Sequence, residues 1–255
     1  MGSVLSKAAV TDLALQWALF LVAAYFKTEK FYDLAGSATF ILLSTQSLMH
    51  TGKFYPRQLI QTALVCVWAI RLGLFLFMRV MKDGHDSRFN RVRNDPKRFF
   101  IYWTVQALWI FVTLLPTLIL NSKDEDRQLT TRDYCGWSVW LIGMLLESVA
   151  DFQKYTFRSN PANKDVWISH GLWKYVRFPN YLGEILLWSG MFLSASSSFK
   201  STDYISVISP LFVGYLLTKL SGIPILEKQN LRKWKDNPQY MQYFRATPRL
   251  LPYLY

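Results

Sequence analysis

Phe99-Phe-Ile-Tyr-Trp-Thr-Val-Gln-Ala-Leu-Trp-Ile-Phe-Val-Thr-Leu-Leu-Pro-Thr-Leu-Ile-Leu120 runs without a single charged residue. As a helix it rises about 33 Å, enough to cross the roughly 30 Å hydrocarbon core of a bilayer. Six more apolar blocks flank it: Ala8 to Phe26, Tyr32 to His50, Gln58 to Val80, Cys135 to Phe152, Tyr181 to Ala195 and Asp203 to Leu220. A soluble chain with 51% hydrophobic residues would interrupt such blocks with charge every few positions. None of them alternates polar with apolar residues as a barrel strand does, and in lipid a helix is the remaining way to satisfy every backbone group. The expected fold is therefore all-α and polytopic, with about seven transmembrane helices. The run Ile223-Pro-Ile-Leu-Glu-Lys-Gln-Asn-Leu-Arg-Lys-Trp234 is too polar to span and reads as an amphipathic tail helix. Pro116 and Pro210 fall inside expected spans and predict kinks. Neither a linker nor a repeat divides the chain, so 1–255 reads as one membrane domain, with its signature region at about 135–255.

The net charge of +12 does not point to nucleic acid, because the charge is sorted by side. Segments on one side of the expected spans hold 21 Lys and Arg, and those on the other side hold 7. The positive-inside rule then places the N-terminus outside or luminal and the C-terminus in the cytosol. An endoplasmic-reticulum-type membrane is expected for a eukaryotic source and the inner membrane for a bacterial one. Cys66 and Cys135 have no metal or redox spacing, and His50, His85 and His170 are scattered, so no metal site is expected. Oligomeric state is not written in the sequence.

Polar residues inside or beside spans are costly in lipid and need a partner or a task. Glu147 and Asp151 are four apart and share a helical face. Arg71, inside the third span, is a counter-charge for Glu147, which makes a structural ion pair the plain alternative to a functional role. The following loop supplies Gln153, Lys154, Arg158, Asn160, Asn163 and Arg177, and guanidinium groups match phosphate geometry. A phosphate-bearing nucleotide on the cytosolic face is the expected ligand. Neither G-x-G-x-x-G nor a P-loop accompanies these residues, so a soluble-type nucleotide domain is not expected. The 16% aromatic content reads as interfacial belts and helix packing, or more sharply as a flat apolar slot to which Trp68 and Trp188 contribute.

The motif Gly171-Leu-Trp-Lys-Tyr-Val-Arg-Phe-Pro-Asn180-Tyr-Leu-Gly-Glu184 resembles the C-terminal signature of the steroid 5α-reductase family, in particular its DUF1295 branch. Lys27 to Ser37, Trp68 to Gly73, Asp86 to Phe89 and Ala150 to Lys154 extend the likeness. The resemblance implies a seven-helix membrane fold in which NADPH enters from the cytosol and reduces an activated C=C bond of a lipid substrate. It also implies cofactor contacts from Asp151, Arg158, Asn180 and Glu184, with Tyr175 in the same motif and Arg71 and Arg79 from the third span. In that family a Tyr and a Glu on early helices assist at the substrate carbonyl. Here the position best aligned with that Tyr is Trp68, and the second span has no Glu at the expected place. Glu29, Tyr32 and Asp33 at the mouth of the second span are then the nearest candidate catalytic groups, with Gln46 within it. Two rivals remain. The ending Tyr243-Phe-Arg-Ala-Thr-Pro-Arg249-Leu-Leu-Pro252 also resembles the isoprenylcysteine carboxyl type of S-adenosylmethionine-dependent methyltransferase, although Lys228 stands where that type has a second Glu. A non-catalytic lipid-binding bundle is the other.

Overall fold

The computed structural model describes residues 1–251 apart from Asp126, and Ser87 through its backbone only. Among these residues it is all-helical, with no strand. The α-helices are α1 (Gly2–Tyr25), α2 (Tyr32–Thr51), α3 (Pro56–Asp83), α4 (Pro96–Asn121), α5 (Thr131–Ser159), α6 (Pro179–Ala195), α7 (Ile208–Tyr215), α8 (Ile223–Trp234) and α9 (Pro238–Ala246). Several starts are dictated locally. Pro56, Pro96 and Pro238 occupy the first helical turn, where a missing N–H costs nothing. The Asp95 carboxylate accepts the Lys97 and Arg98 N–H groups of α4 at 3.1 and 3.2 Å.

Among the described residues, five stretches are long and apolar enough to cross a membrane: Gly2–Tyr25, Pro56–Asp83, Pro96–Asn121, Thr131–Ser159 and Ser201–Trp234. The second and sixth apolar blocks fall short for different reasons. Ser, Thr, Gln and Asp dilute α2, whereas α6 is only 17 residues long. The seventh block is not one uniform helix. It opens as a 3-10 helix (Ser201–Val207), continues as α7 and ends in a π-helical turn (Leu216–Leu220). Pro210 lies inside the expected span, in the first α-helical turn after the 3-10 segment. Pro116 lies inside α4. Residues 223–234, read as an amphipathic tail, form the helix α8 at the end of the fifth membrane-length stretch.

Although no linker marks it, the chain divides into two compact units. The first is Met1–Asp133 with Ser194–Ser209, and the second is Tyr134–Leu193 with Pro210–Tyr255. Inside the first unit, polar side chains hold α1 to α4 together. Gln16 donates to Thr39 at 2.8 Å and accepts from Gln106 at 2.9 Å. Asn121 donates to the Ser44 carbonyl, Ser47 and Thr62. In lipid such bonds do the joining that apolar burial does in water. At the far end Arg57 and Asp133, both fully buried, form a two-pronged ion pair with contacts of 2.6 and 3.1 Å. Ser197 and Thr130 supply the remaining donors to that carboxylate. Trp68 is fully buried, with its ring edge-on to Phe40 at 4.8 Å, and packs the interior.

Candidate functional site

In the second unit, α5 and α6 touch backbone to backbone. A Cβ placed on Gly183 would lie 2.6 Å from the Gly143 carbonyl oxygen and 2.6 Å from the Glu147 nitrogen. One placed on Gly190 would lie 2.5 Å from the Gly136 oxygen. Glycines seven apart on each helix therefore build one seam, the small-residue packing that lets membrane helices approach closely. The seam sets the site. It fixes the carboxylate-bearing end of α5 against the first turns of α6.

Along α5, Glu147, Asp151, Lys154 and Arg158 follow at intervals of four, three and four, one helical face. Glu147 and Asp151 are buried, Lys154 is half-buried and Arg158 is exposed, so the face runs from apolar depth to solvent. On α6, Asn180 and Glu184 are a turn apart. Asn180 Nδ2 donates to Asp151 Oδ1 at 3.2 Å, and Trp188 Nε1 donates to Glu184 Oε1 at 2.9 Å within the interior. A carboxylate only accepts, so the Asn180 NH2 must face Asp151 and its Oδ1 must face away. That Oδ1 is buried and has no hydrogen-bond partner among the described residues. A buried acceptor without a donor is costly and marks a place for a ligand or water.

The segment between the two helices is folded over this end. Gly171 has φ +60°, which a side chain resists, and it sits against Gln153, whose Oε1 accepts the Leu172 N–H at 3.0 Å. Trp173 Nε1 donates to the Ala150 carbonyl at 3.1 Å, and the Lys154 ammonium lies 4.7 Å above the Trp173 ring. Arg177, expected among the phosphate-reading cations, is instead a strut. Its guanidinium pairs with Glu227 at 2.8 Å and lies 4.0 Å over the Phe244 ring, and its Nε donates to the Thr247 carbonyl. Glu227 is shared with Arg249, and the backbone N–H groups of Arg177 and Phe178 donate to the carbonyls of Pro248 and Arg249. Burial pulls the Arg177 pKa below its ordinary value despite Glu227. Tyr175 is 63% exposed and stands on the outside of this fold-over.

The structure therefore brings Asp151 and Asn180 into contact and places Glu184 one turn further along α6, with Arg158 at the solvent end of α5. Arg71 and Arg79 lie half-buried on α3 of the first unit, with Arg71 over the Phe75 ring at 5.8 Å.

Glu29, Tyr32 and Asp33 also meet, around the 84–95 loop of the first unit. Buried Glu29 pairs with Arg93 at 3.3 Å and accepts the Asp86 N–H at 3.1 Å. Asp33 pairs with Arg88 at 2.5 Å, and Arg88 is also bound by Asp86. The Tyr32 hydroxyl donates to the Tyr102 carbonyl at 2.8 Å. Burial acts to raise the Asp86 pKa, but its bonds from Arg88 outweigh this and hold it below the ordinary carboxylate value. Glu29 and Asp33 form an ionic clamp on that loop, and Tyr32 is tied to α4 beside it.

One residue escaped the sequence reading. Asp12 on α1 is 1% exposed, and neither carboxylate oxygen has a hydrogen-bond partner among the described residues. It is the lone charged residue in the first apolar run, which was signal enough to flag it.

A family described as "Protein of unknown function (DUF1295)" matches residues 19–247, a span that contains every residue of both clusters except the last few contacts of the tail. The chain belongs to the DUF1295 family. This family is the steroid 5α-reductase-like group. The DUF1295 chain is also similar to an uncharacterized protein of Schizosaccharomyces pombe, 22% identical over 225 residues, which cover 78% of this chain. The match spans 64% of that relative's length. No solved structure matches the DUF1295 chain.

Proposed function

We propose that this DUF1295 protein is an integral membrane reductase that uses NADPH to reduce an activated C=C bond in a sterol, enone or isoprenoid-like lipid. The observation that carries the reading is the Asn180 carboxamide, anchored by Asp151 with its buried Oδ1 left as an acceptor. A nucleotide offers the matching donors in its carboxamide and ribose hydroxyls. Carboxylates repel phosphates, so Asp151 and Glu184 suit the uncharged parts of the ligand, while Arg158 and Lys154 at the solvent end of the same face suit its phosphates. Tyr175 enters through the motif it shares with Asn180 and Glu184. Arg71 and Arg79 enter only through the family resemblance. The cofactor would supply hydride, and the chain would orient it and keep water away from the apolar side. Glu29, Tyr32 and Asp33 remain the proposed groups near the substrate carbonyl, with Tyr32 contributing a hydroxyl and the two acids ordering the loop beside it.

In the membrane, α2 and α6 complete seven crossings, with the C-terminus in the cytosol, in line with the charge asymmetry. Purified protein tests the site. NADPH is expected to raise the melting temperature of wild type, and Asn180→Ala and Glu184→Gln are expected to lose that rise while remaining folded. Arg158→Ala is expected to weaken NADPH more than NADH, as the loss of a contact to the 2′-phosphate requires. If both Asn180→Ala and Glu184→Gln bind NADPH like wild type, the nucleotide is held elsewhere.

A further inference from the structure

A depression in the first unit lies where the 84–95 loop meets the start of α4. It has a volume of about 450 Å³ and is lined by Arg88, Asn90, Arg91, Arg98, Ile101 and Tyr102, with Val92 at its floor. No acidic residue lines it. Its three arginines are in different states. Arg88 is committed to Asp33 and Asp86. Arg98 pairs with Asp95 at 3.2 Å, but both side chains are well exposed (68% and 41%), so solvent screens that pair and it yields easily. Arg91 is exposed and has no hydrogen-bond or ion-pair partner among the described residues. One fully available guanidinium and one nearly available one thus face the same hollow beside the Asn90 carboxamide.

The hollow does not end in water. Ile101, Val105 and Leu108 on α4 are 56%, 50% and 54% exposed, and their spacing of four and three makes them one stripe leaving the cleft. In a membrane-crossing helix such a stripe faces lipid tails. Arg98 is the last charged residue before the uncharged run that begins at Phe99, so the cleft lies at the edge of the hydrocarbon. The walls are also fixed in advance. Phe89, Val92, Phe99 and Trp103 form a buried cluster under the loop, and the Glu29–Arg93 and Asp33–Arg88 pairs hold its two ends.

We infer that this cleft binds an anionic membrane phospholipid, with its phosphate between Arg91 and Arg98 and an acyl chain along Ile101, Val105 and Leu108. Charge and shape agree on that occupant. A soluble anion would use the arginines and leave the stripe idle, and a neutral lipid would leave Arg91 uncompensated. The site is separate from the nucleotide site proposed for the second unit and does not depend on it.

The full-length protein in nanodiscs of phosphatidylcholine, with and without phosphatidylglycerol, tests this by native mass spectrometry of the retained lipid. Phosphatidylglycerol is expected to be retained by wild type over phosphatidylcholine. Arg91→Gln/Arg98→Gln is expected to lose that preference by roughly thirtyfold, from about 1 kcal/mol for each of the two surface cations. Lys235→Gln, another exposed cation, is expected to leave it intact. Ile101→Asn is expected to weaken phosphatidylglycerol while leaving any binding of inorganic phosphate alone. The inference is overturned if the double variant retains phosphatidylglycerol like wild type. It is equally overturned if inorganic phosphate or NADPH displaces the lipid at equal concentration, since the cleft would then be a soluble-anion or nucleotide site.

Discussion

Gly183→Ala is the sharpest perturbation available, because one methyl group tests whether the glycine seam positions the site. The added Cβ would stand 2.6 Å from both the Gly143 oxygen and the Glu147 nitrogen, and those atoms are backbone, which no rotamer change can move aside. Ordinary C···O contact begins near ~3.3 Å, so the helices must separate by about 0.7 Å. Overpacking of this kind costs about 1–3 kcal/mol, or roughly 2–12 °C in melting temperature for a chain of this size. The shift falls between Asn180 and Glu184, so the Asp151–Asn180 contact should stretch and NADPH stabilisation should fall with it. Gly143→Ala should act alike, since its Cβ would lie 2.6 Å from the Gly183 oxygen. Gly214→Ala is the control: nothing lies within 4 Å of its Cβ, and a helical alanine should be neutral or gain up to about 1 kcal/mol. Differential scanning fluorimetry in detergent, with and without NADPH, reads both effects. Gly183→Ala melting and binding like wild type would refute the close contact and the positioning argument together.

Other outcomes follow from the same geometry. Asp133→Ala should destabilise the first unit by about 3–5 kcal/mol because it strands the buried Arg57, read as a lower melting temperature. Arg57→Met/Asp133→Leu should recover most of that loss, since no charge remains buried, and a double variant no better than the single would contradict the cause. Asp86 has a folded pKa below its unfolded value, so its contribution is present above the unfolded value and is lost as pH falls through the folded one. Protection factors of the 84–95 loop amides, which correct for the intrinsic exchange rate at each pH, should therefore fall below about pH 4, with little change between pH 5 and 8. Asp12→Asn should not destabilise the fold as Asp133→Ala does, because no partner is lost, and a melting temperature more than a few degrees below wild type would reveal one.

What the sequence disclosed depended on the range of the physics involved. Phe99 to Leu120 announced its helix because a run of uncharged residues constrains every residue within it, and α8 was legible from its own amphipathic pattern. Asp151 and Asn180 could be named together because each is conspicuous locally, a carboxylate near lipid and an Asn in a Pro-Asn-Tyr turn. Arg177 was misjudged because its partner Glu227 is fifty residues on, and no local pattern distinguishes a strut from a phosphate ligand. The clamp around Glu29 and Asp33 stayed hidden for the same reason, since Arg88 and Arg93 read as topology charges until the loop is folded back.

The central claim is that Asp151, Asn180 and Glu184 form part of an NADPH site. Isothermal titration of the purified wild-type protein with NADPH, NADH and S-adenosylmethionine tests it most directly. Saturable binding of NADPH, tighter than NADH and absent for S-adenosylmethionine, is the expected result. Saturable binding of S-adenosylmethionine with none of NADPH would contradict it.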